Sequence, residues 1–241
     1  MTLFQLSVVA LGVFLGFFVQ TIIGFAAVLV ALPILLTVLE LRDAVVFISL
    51  LLAVFSILLI YQNYRDMELS VVREVGGSGF IGLVAGLYLL TIGNPALLKQ
   101  GLGLFILLYA AYVLWSGKRV IAVNRFGLLF GFIGGIFSGL YSTGGPLYVS
   151  YITNRLEDKR VLRATLLGTL GWINLSRLPV MVYRDMIIRP LLQLALISLP
   201  VLGLAIGLGN RVVDRLDRER FTRIIIFVLL LAGLSLLINR S

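Results

Sequence analysis

Apolar residues run almost without interruption along this chain, and its charges gather in short clusters between the runs. The apolar stretches cover residues 3–39, 44–61, 75–92, 96–116, 126–153, 164–183, 187–208 and 221–238. Most are close to the ~20 residues that a helix needs to cross about 30 Å of hydrocarbon. Continuous runs of this length predict an all-helical, multi-pass membrane protein with no room for a soluble domain. Two runs are too long for one crossing. Residues 3–39 would extend about 55 Å as a straight helix at ~1.5 Å per residue, so this segment is expected to be broken, strongly tilted or folded back. Residues 126–153 pose the same problem. They carry "GLYSTGGPLYVS" at 139–150, a set of helix-weakening residues in a stretch with no charge between Arg125 and Arg155.

Composition sharpens this class. Of the 241 residues, 60% are hydrophobic and 13% charged, with a mean hydropathy of +1.09, which excludes a soluble globule. There is no cysteine and no histidine, so disulfides, thiol nucleophiles, Cys or His metal sites and histidine bases are excluded together. No metal or cofactor is expected. No enzyme is expected either, since Ser138, Ser142 and Ser150 have no base near them in sequence. The net charge of +9 lies in the loops, where membrane orientation accounts for it without nucleic acid. The amino-terminal "MTLFQLSVVALGVFLG" has no basic n-region, and its apolar run continues beyond an h-region, so the first segment is expected to be retained.

The chain repeats. "YRDM" occurs at 64–67 and at 183–186, a shift of 183 − 64 = 119 residues. The same shift lays "GFFVQTIIGFAA" (16–27) on "GIFSGLYSTGGP" (135–146), pairing Gly16 with Gly135 and one break with the other. The expected organisation is an amino-terminal membrane repeat at 1–116, a basic linker at 117–125 and a carboxy-terminal repeat at 126–241. Loop charge relates the halves. If each over-long run crosses once, the repeats are parallel and loop Lys and Arg divide 8 against 11. If each folds back, the loops holding Arg65, Arg73, Lys118, Arg119, Arg125, Arg155, Lys159, Arg160, Arg163, Arg211, Arg215, Arg218, Arg220 and Arg223 share one side, 14 against 5. The second partition obeys the positive-inside rule. It predicts inverted-topology repeats, each a broken or re-entrant helical hairpin followed by three transmembrane helices, with both termini outside. Broken helices in inverted repeats are a common transporter plan.

The breaks carry the candidate chemistry. Pro146 suits the first turn of a new helix, and Gly144 and Gly145 allow the backbone to turn there. The N–H groups of Thr143, Gly144 and Gly145 would then be free at the positive end of that helix, an anion site at membrane depth, with Ser142 and Thr143 adding hydroxyls. The other break offers Gln20, Thr21 and the backbone at Gly24. Gly127, Gly131 and Gly135, spaced by four, read instead as helix-packing contacts. In "GWINLSRLPV" (171–180), Asn174, Ser176 and Arg177 interrupt an apolar segment. An intramembrane arginine with no acid nearby in sequence suits an anionic substrate; the alternative is that it snorkels to the interface. Arg65 with Asp66, and Arg184 with Asp185, are candidate gate pairs or plain loop charges. No Asp, Glu or His lies deep in any segment, so an intramembrane proton relay has no obvious carrier.

The segments "GFFVQTIIGFAAVLVALP" (16–33) and "GGIFSGLYSTGGPLYVSYI" (134–152) resemble the paired glycine-rich motifs of the TauE/SafE family of membrane permeases. Gly144-Gly145-Pro146 fits the second motif, whereas Phe25, Ala26 and Ala27 stand where the first has glycines. The resemblance spans nearly the whole chain. It implies export or uptake of sulfite or a short organosulfonate across a bacterial inner membrane. The expected partners are the bilayer and a small anion, and a homodimer is allowed. A carrier of another small anion such as a carboxylate, and a substrate-free assembly or scaffold protein, are the competing expectations.

Overall fold

The computed structural model describes residues 2–24, 26–116, 126–212 and 218–238. The linker expected at 117–125, and Phe25, lie outside the described residues. Those described form ten α-helices and no strand: α1 (Leu3–Ile23), α2 (Ala27–Leu35), α3 (Leu41–Asn63), α4 (Leu69–Ile92), α5 (Pro95–Ser116), α6 (Gly127–Tyr141), α7 (Gly145–Arg155), α8 (Lys159–Tyr183), α9 (Arg189–Val212) and α10 (Arg218–Ile238). By length and composition, α1, α3, α4, α5 and α9 can each cross a membrane. Helices extend past their apolar runs because hydropathy marks the hydrocarbon slab, while polar caps set the helix ends. α8 begins at Lys159, not 164, since the Asp158 carboxylate accepts the Arg160 and Val161 N–H groups at 2.8 and 2.9 Å. Those bonds, from Val161 and then Arg160, hold its carboxyl below the usual range.

The chain forms two compact units. One holds Met1–Ile48, Gly93–Gly117 and Gln193–Ser241, the other Ser49–Ile92 and Lys118–Leu192. Each draws on both sides of the 117–125 stretch.

In the first unit the over-long run 3–39 is broken and folded back. α1 ends at Gly24, whose φ of 108° only glycine adopts without strain. α2 then returns along α1: a Cβ on Gly12 would lie 3.4 Å from Ile34 and Leu35, and one on Gly16 would lie 2.7 Å from Ala31 and the Ala27 carbonyl. Gln20 joins the two helices, its Oε1 accepting the Ala27 N–H at 2.8 Å. This bond satisfies one of the N–H groups that the start of α2 leaves unpaired. Gln20→Leu removes the acceptor from a buried donor, and a loss of about 1–3 kcal/mol in stability is expected; thermal unfolding of purified protein measures it. In the same unit α5 and α10 run antiparallel, Gly103 lying against Leu236 and Leu237 and Leu107 against Gly233.

The second unit contains the other hairpin. α6 has 15 residues and α7 has 11, about 22 and 16 Å long, so neither alone spans the bilayer core. α7 doubles back on α6. Tyr148 lies over Gly134 with its hydroxyl 3.3 Å from Ser138 Oγ, and Tyr151 lies against Gly127. Glycine is required along α6 because its other side meets α4 backbone to backbone. A Cβ on Gly82 would strike the Phe132 carbonyl, and one on Gly135 the Gly79 carbonyl. The packing role expected of Gly127, Gly131 and Gly135 is the one they have.

Chain direction follows from these contacts. Gly131, Gly135 and Gly139 meet progressively later residues of α4, and Trp172 and Ile173 of α8 lie beside Gly76 and Gly79 while Thr165 receives the Glu68 N–H at 2.9 Å. Helices α4, α6 and α8 are therefore parallel. α3 opposes α8, with Ser49 beside Arg177, Ser56 beside Asn174 and Ile60 beside Gly171. The α6–α7 hairpin thus returns the chain to the end of the unit from which α4 starts. Two ion pairs lie at that end, Asp66 with Arg160 at 2.8 Å and Glu74 with Arg155 at 2.6 Å.

Candidate functional site

Arg177 sits in α8 and is the one charged side chain among the buried described residues, at 0% exposure. Full burial overturns the snorkelling alternative, for the guanidinium turns inward and not toward an interface. Its Nη1 donates to Ser49 Oγ at 2.9 Å and to Ser142 Oγ at 2.6 Å, and its Nη2 donates to the Ser138 carbonyl at 2.6 Å. Every one of these acceptors is neutral. Among the described residues no carboxylate joins them, and the buried Nε has no hydrogen-bond partner. The Ser138 carbonyl belongs to the last turn of α6, where the helix dipole favours a cation. Among the described residues, that dipole and three neutral oxygens hold the charge without a counter-ion.

The break between α6 and α7 supplies the rest of the site. Ser142 closes α6 in the left-handed region, at φ 60°. Its N–H returns to Ser138 O at 2.8 Å, the 5→1 bond of an αL ending, and that of Thr143 reaches Phe137 O at 3.3 Å. The expectation of a free Thr143 N–H is thereby corrected: the end of α6 consumes it. Gly144 and Gly145 open α7, with Pro146 in its first turn, so their N–H groups are among those an α-helix leaves without internal partners. The Thr143 hydroxyl is buried, at 3% exposure, and Oγ1 has no partner. Ser142 Oγ is not a spare donor, being 3.0 Å from Ser49 Oγ as well as bound to Arg177.

The remaining candidates fall in several places. Asn174 is buried and donates to Ser56 Oγ at 3.0 Å, beside α3 and not at the break. Ser176 is half-buried on α8. Gln20, Thr21 and Gly24 belong to the first unit, where Gln20 caps α2 and the Thr21 hydroxyl donates to Phe17 O at 2.8 Å. The neighbours Arg65 and Asp66 do not pair with each other. Asp66 accepts from Arg160, and Arg65 donates to the Tyr64 hydroxyl at 3.0 Å. Arg184 stacks over Tyr88 at 5.3 Å, and Asp185 is in a turn at φ 50°. Sequence reasoning missed Ser49 and Ser56, the α3 hydroxyls that receive Arg177 and Asn174. The available signal was a pair of serines seven residues apart in an otherwise apolar run.

The family model described as "Sulfite exporter TauE/SafE" matches residues 8–236. The chain belongs to the TauE/SafE family. No curated protein and no solved structure matches it. A TauE/SafE chain with five helices fit to cross a bilayer is a multi-pass membrane protein of a transport family, and the family description points to sulfite or a related anion as its cargo.

Proposed function

We propose that this TauE/SafE protein is a secondary transporter for sulfite or a short organosulfonate, working by alternating access in a bacterial inner membrane. The anion is held at the α6–α7 break by the Gly144 and Gly145 N–H groups, the Thr143 hydroxyl and Arg177. The single observation that carries this reading is the wholly buried Arg177, whose acceptors are all neutral and whose Nε is unpaired. A charge in that setting is costly to keep in a membrane, and an oxyanion offers guanidinium the paired acceptors that serines cannot. The halves are inverted repeats: the matched helices α3 and α8 run antiparallel, as do α5 and α10, which supports this relation. With Arg65, Arg155, Arg160 and Arg163 in segments at one end of the second unit, the positive-inside rule puts that end in the cytoplasm and both termini in the periplasm.

Thermal stability against sulfite, short sulfonates and matching carboxylates tests the reading. A ligand at 100 times its dissociation constant stabilises the fold by about 2.7 kcal/mol. Sulfite or a sulfonate is expected to do so. Preference for carboxylates would instead make this a carrier of those anions, and no response to any anion would leave Arg177 as a cap on α6 in a scaffold protein. Thr143→Val is nearly isosteric and removes an unpaired buried hydroxyl. It is expected to stabilise the unliganded protein, by up to about 1–3 kcal/mol, while weakening the anion response.

A further inference from the structure

We infer that the site at the α6–α7 break is built for a singly charged oxyanion and discriminates against a doubly charged one of the same size. The inference rests on the anion-site reading above and adds its charge selectivity, with hydrogensulfite as the form of sulfite that binds.

Charge at the break is small and can be counted. Arg177 contributes one positive charge, and its partners Ser49, Ser142 and the Ser138 carbonyl contribute none. The other buried polar side chains described in this unit, Ser56, Thr143, Thr165, Thr169 and Asn174 among them, are neutral as well. Helix ends do not alter the balance. The N-terminus of α7 is worth roughly half a positive charge and the C-terminus of α6 roughly half a negative one, and Ser142, Thr143 and Gly144 alone separate these helices. Both ends are partial charges of a neutral backbone and add no net charge to the count.

A monoanion therefore leaves the loaded site close to neutral. A dianion leaves one net negative charge, buried in low dielectric with no second buried cation among the described residues to meet it, and the penalty for such a charge is large even after relaxation. The unpaired donors make up only part of the difference, because their attraction grows in proportion to the charge while the desolvation cost grows with its square. Thr143 Oγ1 and the Gly144 and Gly145 N–H groups are dipoles, which orient an oxyanion and favour a charge of either magnitude. Neutrality also bears on movement: a site that carries its ligand as a neutral pair crosses between states without moving net charge through the membrane field.

Methanesulfonate and sulfate make the test, since they share a tetrahedral SO3 group and differ in having a methyl where the other has a charged oxygen. Each is titrated against the purified full-length protein, with the thermal midpoint as readout and chloride salts of matched ionic strength as the control. The expected result is a saturable rise with methanesulfonate and an apparent sulfate affinity at least about tenfold weaker. Sulfate binding as tightly as methanesulfonate, or more tightly, overturns the charge selectivity and leaves the anion site standing. A folded protein that responds to neither, and to none of the anions tested above, overturns both.

Discussion

Gly135→Val is expected to prevent recovery of a monodisperse, folded protein, or to lower its stability beyond the usual overpacking range of about 1–3 kcal/mol. The reason is geometric. A Cβ on Gly135 would collide with the Gly79 carbonyl and lie 2.9 Å from the Leu83 amide nitrogen. Those atoms are main chain, so no rotamer change on α4 can relieve the clash; the helices must separate. Separation would also lose the close contacts at Gly82, Gly86, Gly131 and Gly139 along the same seam. Such close backbone approach is a principal source of helix association in lipid, where no hydrophobic force drives helices together. Gly77 on the same α4 is the control. A Cβ there meets nothing within 4 Å, so Gly77→Ala is expected to be neutral or to stabilise by about 0.5–1 kcal/mol through helix propensity. Size-exclusion profile and thermal midpoint of the two variants check the prediction together.

Arg177→Met should separate stability from binding. The substitution withdraws a cation but leaves the polar groups around it paired: Ser49 and Ser142 hydroxyls lie 3.0 Å apart, and the Ser138 carbonyl keeps the Ser142 N–H at 2.8 Å. Replacing a buried charge by an apolar side chain of similar length is then neutral or stabilising, by up to about 1–4 kcal/mol. Loss of the partner of a buried oxyanion costs about 2–5 kcal/mol in binding, at least about 30-fold in affinity. The expected Arg177→Met protein is therefore folded, no less stable than wild type without ligand, and unresponsive to sulfonate at concentrations that saturate wild type. A variant much less stable than wild type in the absence of anion would assign Arg177 to holding α3, α6 and α8 together.

The positions of both breaks were legible because two signals coincide there: runs of 37 and 28 residues exceed one crossing, and each contains residues that disfavour a helix. Arg177 stood out as a lone cation in an apolar segment. Its burial did not, since the sequence gives no measure of how far a long side chain can reach, and snorkelling was an equal alternative. The partners were illegible for a different reason. Ser49 is one hydroxyl in an apolar helix and becomes an arginine acceptor only because α3 opposes α8 in the fold. The glycines of "GGSGFIGLVAG" in α4 likewise give no hint that they face those of α6. Thr143 was misread because the sequence shows that a new helix starts at Gly145, but not that the old one closes by consuming the Thr143 N–H. Capping geometry, not residue type, decides which donors remain.

Uptake of a labelled short sulfonate into proteoliposomes tests the central claim most directly, comparing wild type with Arg177→Met and Thr143→Val, each first shown to be folded. Saturable uptake by wild type is expected, competed by sulfite, abolished in Arg177→Met and reduced in Thr143→Val. Equal uptake by wild type and Arg177→Met would place the anion path away from the α6–α7 break and contradict the assignment.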